Sequence, residues 1–87
     1  MAKSKILPSS YAIREGMLVE FDYPSSAGGV KRRRVAVERV VGINSKYTAP
    51  LAGIRPYFNG PELTDNGQIK SFNHEKILGD VTLVGSA

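Results

Sequence analysis

Residues 17–41 constrain the fold of this chain more than any other stretch. In Met17-Leu18-Val19-Glu20-Phe21-Asp22-Tyr23, the apolar Val19, Phe21 and Tyr23 alternate with Glu20 and Asp22. Strand side chains alternate between two faces, so one face here is apolar and the other acidic. Pro24-Ser25-Ser26-Ala27-Gly28-Gly29 follows as a turn by composition. A valine-rich second strand, Val30 to Val41, comes next, and its first half holds Lys31-Arg32-Arg33-Arg34. The two strands predict a hairpin. Period-two geometry puts Arg32 and Arg34 on one face and Lys31 and Arg33 on the other. Glu20 and Asp22 lie on the strand opposite and are cross-strand partners for one of those pairs.

The rest of the chain reads as short elements between glycine and proline signals. Residues 1–8 are polar and basic, a flexible lead-in closed by Pro8, with a single domain over 9–85. Ser9 to Gly16 carries the signals of a short helix, with Ser9 or Ser10 as cap and Gly16 after its last turn. Its Tyr11, Ala12 and Ile13 dock it on the sheet. Pro50 and Pro56 argue against a central strand through either, so a short third strand is placed near Leu51 to Arg55. Asn59-Gly60-Pro61 and Asp65-Asn66-Gly67 read as turns. Gln68 to Phe72 is the fourth strand, Asn73 caps one helical turn, and Asp80 to Val84 is the fifth strand. The expected fold is mainly β: a small five-stranded bent sheet or barrel of SH3-like or Sm-like order, with a short N-terminal helix and one helical turn before the last strand.

Length and composition bound the functions such a chain can carry. Its 87 residues make one domain with a thin core. There is no cysteine, hence no disulfide or thiolate chemistry. No apolar run approaches the roughly 20 residues of a membrane span, and no apolar segment follows the basic start, so a cytoplasmic protein without a membrane role is expected. A net charge of +4 favours anionic partners.

Enzymatic chemistry has little to work with. The single histidine, His74, neighbours Glu75 on a predicted helical turn, where adjacent side chains do not face each other. An exposed or half-buried, non-catalytic histidine is expected, with no metal and no cofactor. The basic strand is the stronger candidate. Arginine forks match phosphate oxygens, and Tyr23, Tyr47, Tyr57 and Phe58 offer stacking surfaces for unpaired bases. The competing reading is that the cations guard a hairpin against edge-to-edge pairing, neutralised by Glu20 and Asp22. Tyr23, in period with Val19 and Phe21, also fits the core.

The segment Ile69-Lys70-Ser71-Phe72-Asn73-His74-Glu75-Lys76-Ile77 resembles the closing motif of WYL domains: a basic residue, a spacer, a phenylalanine, three residues, a basic residue and an isoleucine. Ala12-Ile13 and Val19 to Tyr23 are similar to that family's opening helix end and first strand, and Arg33 or Arg34 sits where its second strand carries an arginine. The likeness spans about residues 11 to 84. It departs at the triplet that names the family, where Ala49-Pro50-Leu51 keeps only the leucine, and in a longer insertion before Gln68. The resemblance implies an Sm-like barrel that binds nucleic acid or a nucleotide-like ligand, in proteins of bacterial or phage type. The positions it carries over are Tyr23, Arg33 or Arg34, Lys70, Phe72 and Lys76.

Two functions follow as expectations. The first is a non-enzymatic regulatory module that binds nucleic acid or a nucleotide through Arg32, Arg33, Arg34, Lys70 and Lys76, with Tyr23, Tyr57 or Phe72 as aromatic contacts. The second is a protein-interaction module that docks on a larger complex through Arg55, Tyr57 and Phe58, residue types that favour interface hot spots.

Overall fold

The computed structural model describes residues 4–86. Nine antiparallel strands make up most of it: β1 (Lys5–Ile6), β2 (Met17–Pro24), β3 (Val30–Ala36), β4 (Arg39–Val41), β5 (Ile43–Asn44), β6 (Ala49–Pro50), β7 (Tyr57–Glu62), β8 (Gln68–Asn73) and β9 (Leu78–Ser86). One sheet runs β1-β9-β2-β3-β7-β4, with β8 also paired to β7, and β5-β6 forms a separate hairpin. No helix among the described residues is long and apolar enough to cross a membrane.

The hairpin read from residues 17–41 forms as β2 and β3. Its register sets Glu20 opposite Arg34 and Asp22 opposite Arg32. Gly28 and Gly29 take φ of +99° and +73° in the turn, a region that costs glycine little. The second strand is not continuous to Val41. At Val37 the backbone N–H donates to the Met17 carbonyl (2.8 Å), and at Glu38 it donates to the Asn59 carbonyl (2.9 Å). The chain therefore changes partner from β2 to β7 between these two residues, which splits the expected strand into β3 and β4.

The N-terminal expectations also need correction. The helix of residues 9–16 is a 3-10 turn, Ser10–Ala12, whose N-cap Ser9 makes no side-chain hydrogen bond. Residues 1–3 lie outside the described residues, but Lys5 and Ile6 pair with Leu83 and Thr82, and Leu7 is buried. The lead-in is thus partly built into the fold, because Leu7 adds apolar area to a core that has little to spare.

The third strand is β7, not residues 51–55, and it runs through Gly60 and Pro61, which composition reads as a turn. A Cβ on Gly60 would lie 1.9 Å from the Ala36 carbonyl oxygen. Glycine here permits close approach of two backbones, the second meaning it can carry inside a strand. β3 meets β7 at one registered pair, Val35 with Glu62, so the ladder does not require the amide that Pro61 lacks. Asp65-Asn66-Gly67 is the true reversal, with Asn66 and Gly67 at φ +57° and +70°.

The core is one cluster: Leu7, Ile13, Val19, Phe21, Val35, Val37, Phe58, Phe72 and Val81. At its centre the Phe21 ring meets Phe58 at 5.5 Å and Phe72 at 5.2 Å, both edge to face. That geometry suits the ring quadrupoles. The 3-10 turn His74–Lys76, capped by the Asn73 side chain accepting from the Glu75 amide (2.9 Å), leads into β9.

Candidate functional site

The two faces of β3 treat their cations differently. Arg32 and Arg34 project from the outer face and are exposed. Arg34 is bonded to the Glu20 carboxylate, and Arg32 reaches Glu20 (3.5 Å) and Asp22 (3.4 Å). The Arg34 hydrogen bond, above all, holds the Glu20 carboxyl below the usual carboxylate range. Cross-strand register therefore neutralises this pair; the alternation of β2 implied that one of the two pairs would be neutralised, and the register decides which.

Arg33 projects inward, and its side chain is only 10% exposed. Its Nη1 donates to Glu62 Oε1 (3.0 Å) and its Nη2 to the Pro24 carbonyl (3.3 Å). Its guanidinium carbon stands 5.8 Å from the Tyr23 ring centre and 5.9 Å from that of Phe72. Glu62 is fully buried. It also accepts from the Thr64 hydroxyl (2.6 Å) and pairs with Lys70 Nζ (3.0 Å), which in turn binds Asp65. Burial alone would push the Glu62 carboxyl up. The hydrogen bonds from Thr64, Lys70 and Arg33 outweigh it and hold the group below its ordinary range. Hydrogen bonds to Asp65 and then Glu62 raise the Lys70 ammonium above its usual value.

Arg33 and Lys70 thus converge on a carboxylate of the same chain, with the Tyr23 and Phe72 rings beside the Arg33 guanidinium. Phe72 is buried in the core, and Tyr23 is half-buried with its hydroxyl oxygen accepting from the Asn73 amide (3.0 Å). Their ring faces are taken by core partners rather than offered to a ligand. Lys76 is exposed on the second 3-10 turn and lies outside this network. Of the second candidate set, Arg55 is exposed and Tyr57 half-buried, while Phe58 is fully buried in β7. Tyr57 and Phe58 are neighbours on a strand, so they face opposite ways, and they do not form one exposed pair.

His74 also departs from expectation: it is buried, at 2% exposure, rather than exposed or half-buried. Its ring meets Phe58 edge to face at 5.0 Å and Tyr11 at 5.8 Å. Neither ring nitrogen has a hydrogen-bond partner. Burial holds the imidazole below its ordinary pKa against the opposing pull of the Pro56 carbonyl, and the nearby Arg14 charge adds to burial.

Charge arithmetic shows where the surface remains basic. Arg32, Arg33, Arg34 and Lys70 are matched one for one by Glu20, Asp22, Glu62 and Asp65. The net charge of +4 therefore belongs to the remaining eight cations and four carboxylates. Residues 39–61 contain Arg39, Lys46 and Arg55 and no carboxylate at all. The same stretch exposes Tyr47 (69%), Leu51 (40%) and Ile54 (50%). All three stand on the connection between β4 and β7. β5 and β6 pair within it, the Leu51 amide donates to the Gly42 carbonyl (2.8 Å), and Arg14 donates to the Ser45 carbonyl (3.3 Å) and the Thr48 hydroxyl (3.4 Å). The signal in the sequence was the carboxylate-free run itself, overshadowed by the denser charges of β3.

No protein-family model matches the chain, and neither a curated protein nor a solved structure is significantly similar to it.

Proposed function

We propose that this chain is a non-enzymatic protein-interaction module that docks through its β4–β7 connection on an acidic, partly apolar surface of a partner protein. The observation that carries this reading is the pairing of the basic strand with its own carboxylates. It leaves residues 39–61 as a basic stretch with exposed Tyr47, Leu51 and Ile54. Leucine and isoleucine have no stacking face for a base and no donor for a phosphate, so a protein is favoured over nucleic acid. Exposed apolar side chains on a stretch that also carries Arg39, Lys46 and Arg55 suit an interface with a desolvated centre and a polar rim. The principal strand order β9-β2-β3-β7-β8, with a 3-10 turn before the last strand, supports an SH3-like architecture, which hosts many functions and by analogy alone assigns none.

Nucleic-acid binding is the second reading, favoured by one contact: Lys46 Nζ lies 5.5 Å from the centre of the exposed Tyr47 ring. A base stacked on Tyr47 beside that ammonium would be bound in a sequence-tolerant way. An array of peptides alternating acidic and apolar residues, probed beside single-stranded oligonucleotides, decides between the two. The docking reading expects peptide binding that weakens in Leu51→Ser/Ile54→Ser and is unchanged in Arg32→Ala/Arg34→Ala. Oligonucleotide binding that survives the first double variant and falls steeply with salt selects the second reading. Binding of neither probe refutes both.

A further inference from the structure

The buried histidine stands at the junction that holds the candidate docking loop. The His74 amide donates to the Pro56 carbonyl (3.3 Å), where the loop rejoins β7. The His74 carbonyl accepts from the Ser10 hydroxyl (3.4 Å) on the first 3-10 turn, and Tyr11 of that turn lies against the ring. Gly42, at the other end of the loop, packs so closely on Pro56 that a Cβ would come within 3.0 Å of the Pro56 Cα. Arg14, just beyond the turn, ties it to Ser45 and Thr48. One residue, through its backbone and its ring, thus sits where the turn, the loop base and β9's lead-in meet.

That position is unfit for a cation. Both ring nitrogens are buried and neither makes a well-formed hydrogen bond; the one group that favours the protonated ring is the Pro56 carbonyl. From β7 the ring meets Phe58, an apolar partner, with half-buried Tyr57 next in sequence. From the first turn it meets the Tyr11 ring, and the charge acting on it is that of Arg14, of the same sign as a protonated imidazole. On its own turn Glu75 and Lys76 are both exposed. The Pro56 carbonyl is engaged by the His74 backbone. A protonated ring carries two N–H donors, for which this seat offers at most the one Pro56 carbonyl, itself shared with the His74 amide; it gains a second acceptor only by leaving.

We propose that His74 is an acid-sensitive pin: when it takes up a proton, the Ser10–Ala12 turn lifts and the Gly42–Pro56 loop that it braces loosens. The pin rests on the geometry of the junction. Its use in releasing a partner at mildly acid pH rests on the docking reading. If the closed state holds the ring neutral and the open state gives it the ordinary value of 6.5, the opening constant rises about eightfold from pH 7.0 to pH 5.5.

Amide hydrogen exchange of the whole chain at these two pH values, corrected for the intrinsic pH dependence, tests the pin. The expected result is an about eightfold loss of protection at Ile13 and Leu51, with Val19 and Phe21 in β2 unchanged, and no loss at any of them in His74→Phe. Equal losses in wild type and variant, or none in wild type, overturn it. Should the variant fail to fold, the ring carbon and nitrogen shifts of wild-type His74 decide: a ring still neutral at pH 5.5 in the closed state supports the pin, and a ring titrating near its ordinary value overturns it. The two proposals also separate. If protection falls as expected while affinity for the acidic-apolar peptide is the same at both pH values, the pin stands and its role in docking fails.

Discussion

Glu62→Gln is the most direct probe of what Arg33 does. The substitution keeps the size of a fully buried side chain and removes its charge. Glu62 accepts three hydrogen bonds, from Arg33 (3.0 Å), Lys70 (3.0 Å) and Thr64 (2.6 Å). The amide retains one acceptor oxygen and presents two N–H donors towards groups that are themselves donors. Lys70 still has Asp65 and partial exposure to water. Arg33 has neither: its side chain is 10% exposed, and its other bond is to the neutral Pro24 carbonyl. Breaking a buried pair in this way costs about 3–5 kcal/mol. A chain of this length has a total stability of about 4–13 kcal/mol by the usual per-residue range. At about 4–8 °C per kcal/mol for a domain this size, the midpoint of thermal unfolding, followed by circular dichroism, should fall by at least about 12 °C. Arg33→Met/Glu62→Leu should recover most of the loss, since an apolar pair of similar volume avoids the desolvation of two ions. A fall of less than about 4 °C in Glu62→Gln would mean that water screens the pair, and the account of Arg33 as a structural residue would be wrong.

Other outcomes follow from the same geometry. Arg32→Ala and Arg34→Ala, on the exposed outer face, should each change stability by less than about 1 kcal/mol in urea titrations. Gly60→Ala drives a methyl group into the Ala36 carbonyl, a backbone atom that cannot swing aside, and should cost at least about 2–3 kcal/mol by the same assay. Tyr23→Phe leaves the Asn73 amide without its acceptor and should cost about 1 kcal/mol, visible as faster exchange at that amide. Acid should destabilise the fold in two windows. His74 has a depressed native pKa, so the neutral ring contributes fully above its unfolded value of 6.5 and that contribution is lost as pH falls below it. Glu20 and Glu62 are depressed carboxyls, whose contribution is present above their ordinary value of 4.5 and lost as pH falls below that. Unfolding midpoints measured from pH 8 to pH 3 should show both slopes, and His74→Phe should remove the upper one alone.

The local elements were legible where one signal acts within a few residues. The alternation of Val19, Phe21 and Tyr23 with Glu20 and Asp22 determined the first long strand, and with the glycine turn it determined the hairpin. The period of two also split the four cations into two pairs on opposite faces, and the register of the folded hairpin decided that Arg32 and Arg34 are the pair that meets Asp22 and Glu20. Asn73 as the cap of a single turn was legible for the same local reason. What misled were residues with two meanings. Gly60 and Pro61 read as a turn and proved to lie in a strand, since the need for a close approach to Ala36 is a property of two strands, not of one sequence window. The 39–61 surface was present in the composition, yet exposure decides whether Leu51 and Ile54 are core or interface.

The sequence by itself determined that this protein is mainly β, that it opens its sheet with a hairpin, and that four cations cluster on one strand. Only the tertiary structure decided what those cations do. Glu62 is 28 or more positions away from the cluster in the chain, and it reaches Arg33 only because β7 lies against β3. A buried guanidinium needs a carboxylate, and where that carboxylate comes from is a matter of strand pairing across the sheet. The same holds for His74, whose burial is set by Tyr11 and Phe58 from two distant elements. Charge and period are written along the chain. Partners are chosen by packing, which is why Arg32, Arg33 and Arg34 of β3 are met by carboxylates of their own chain.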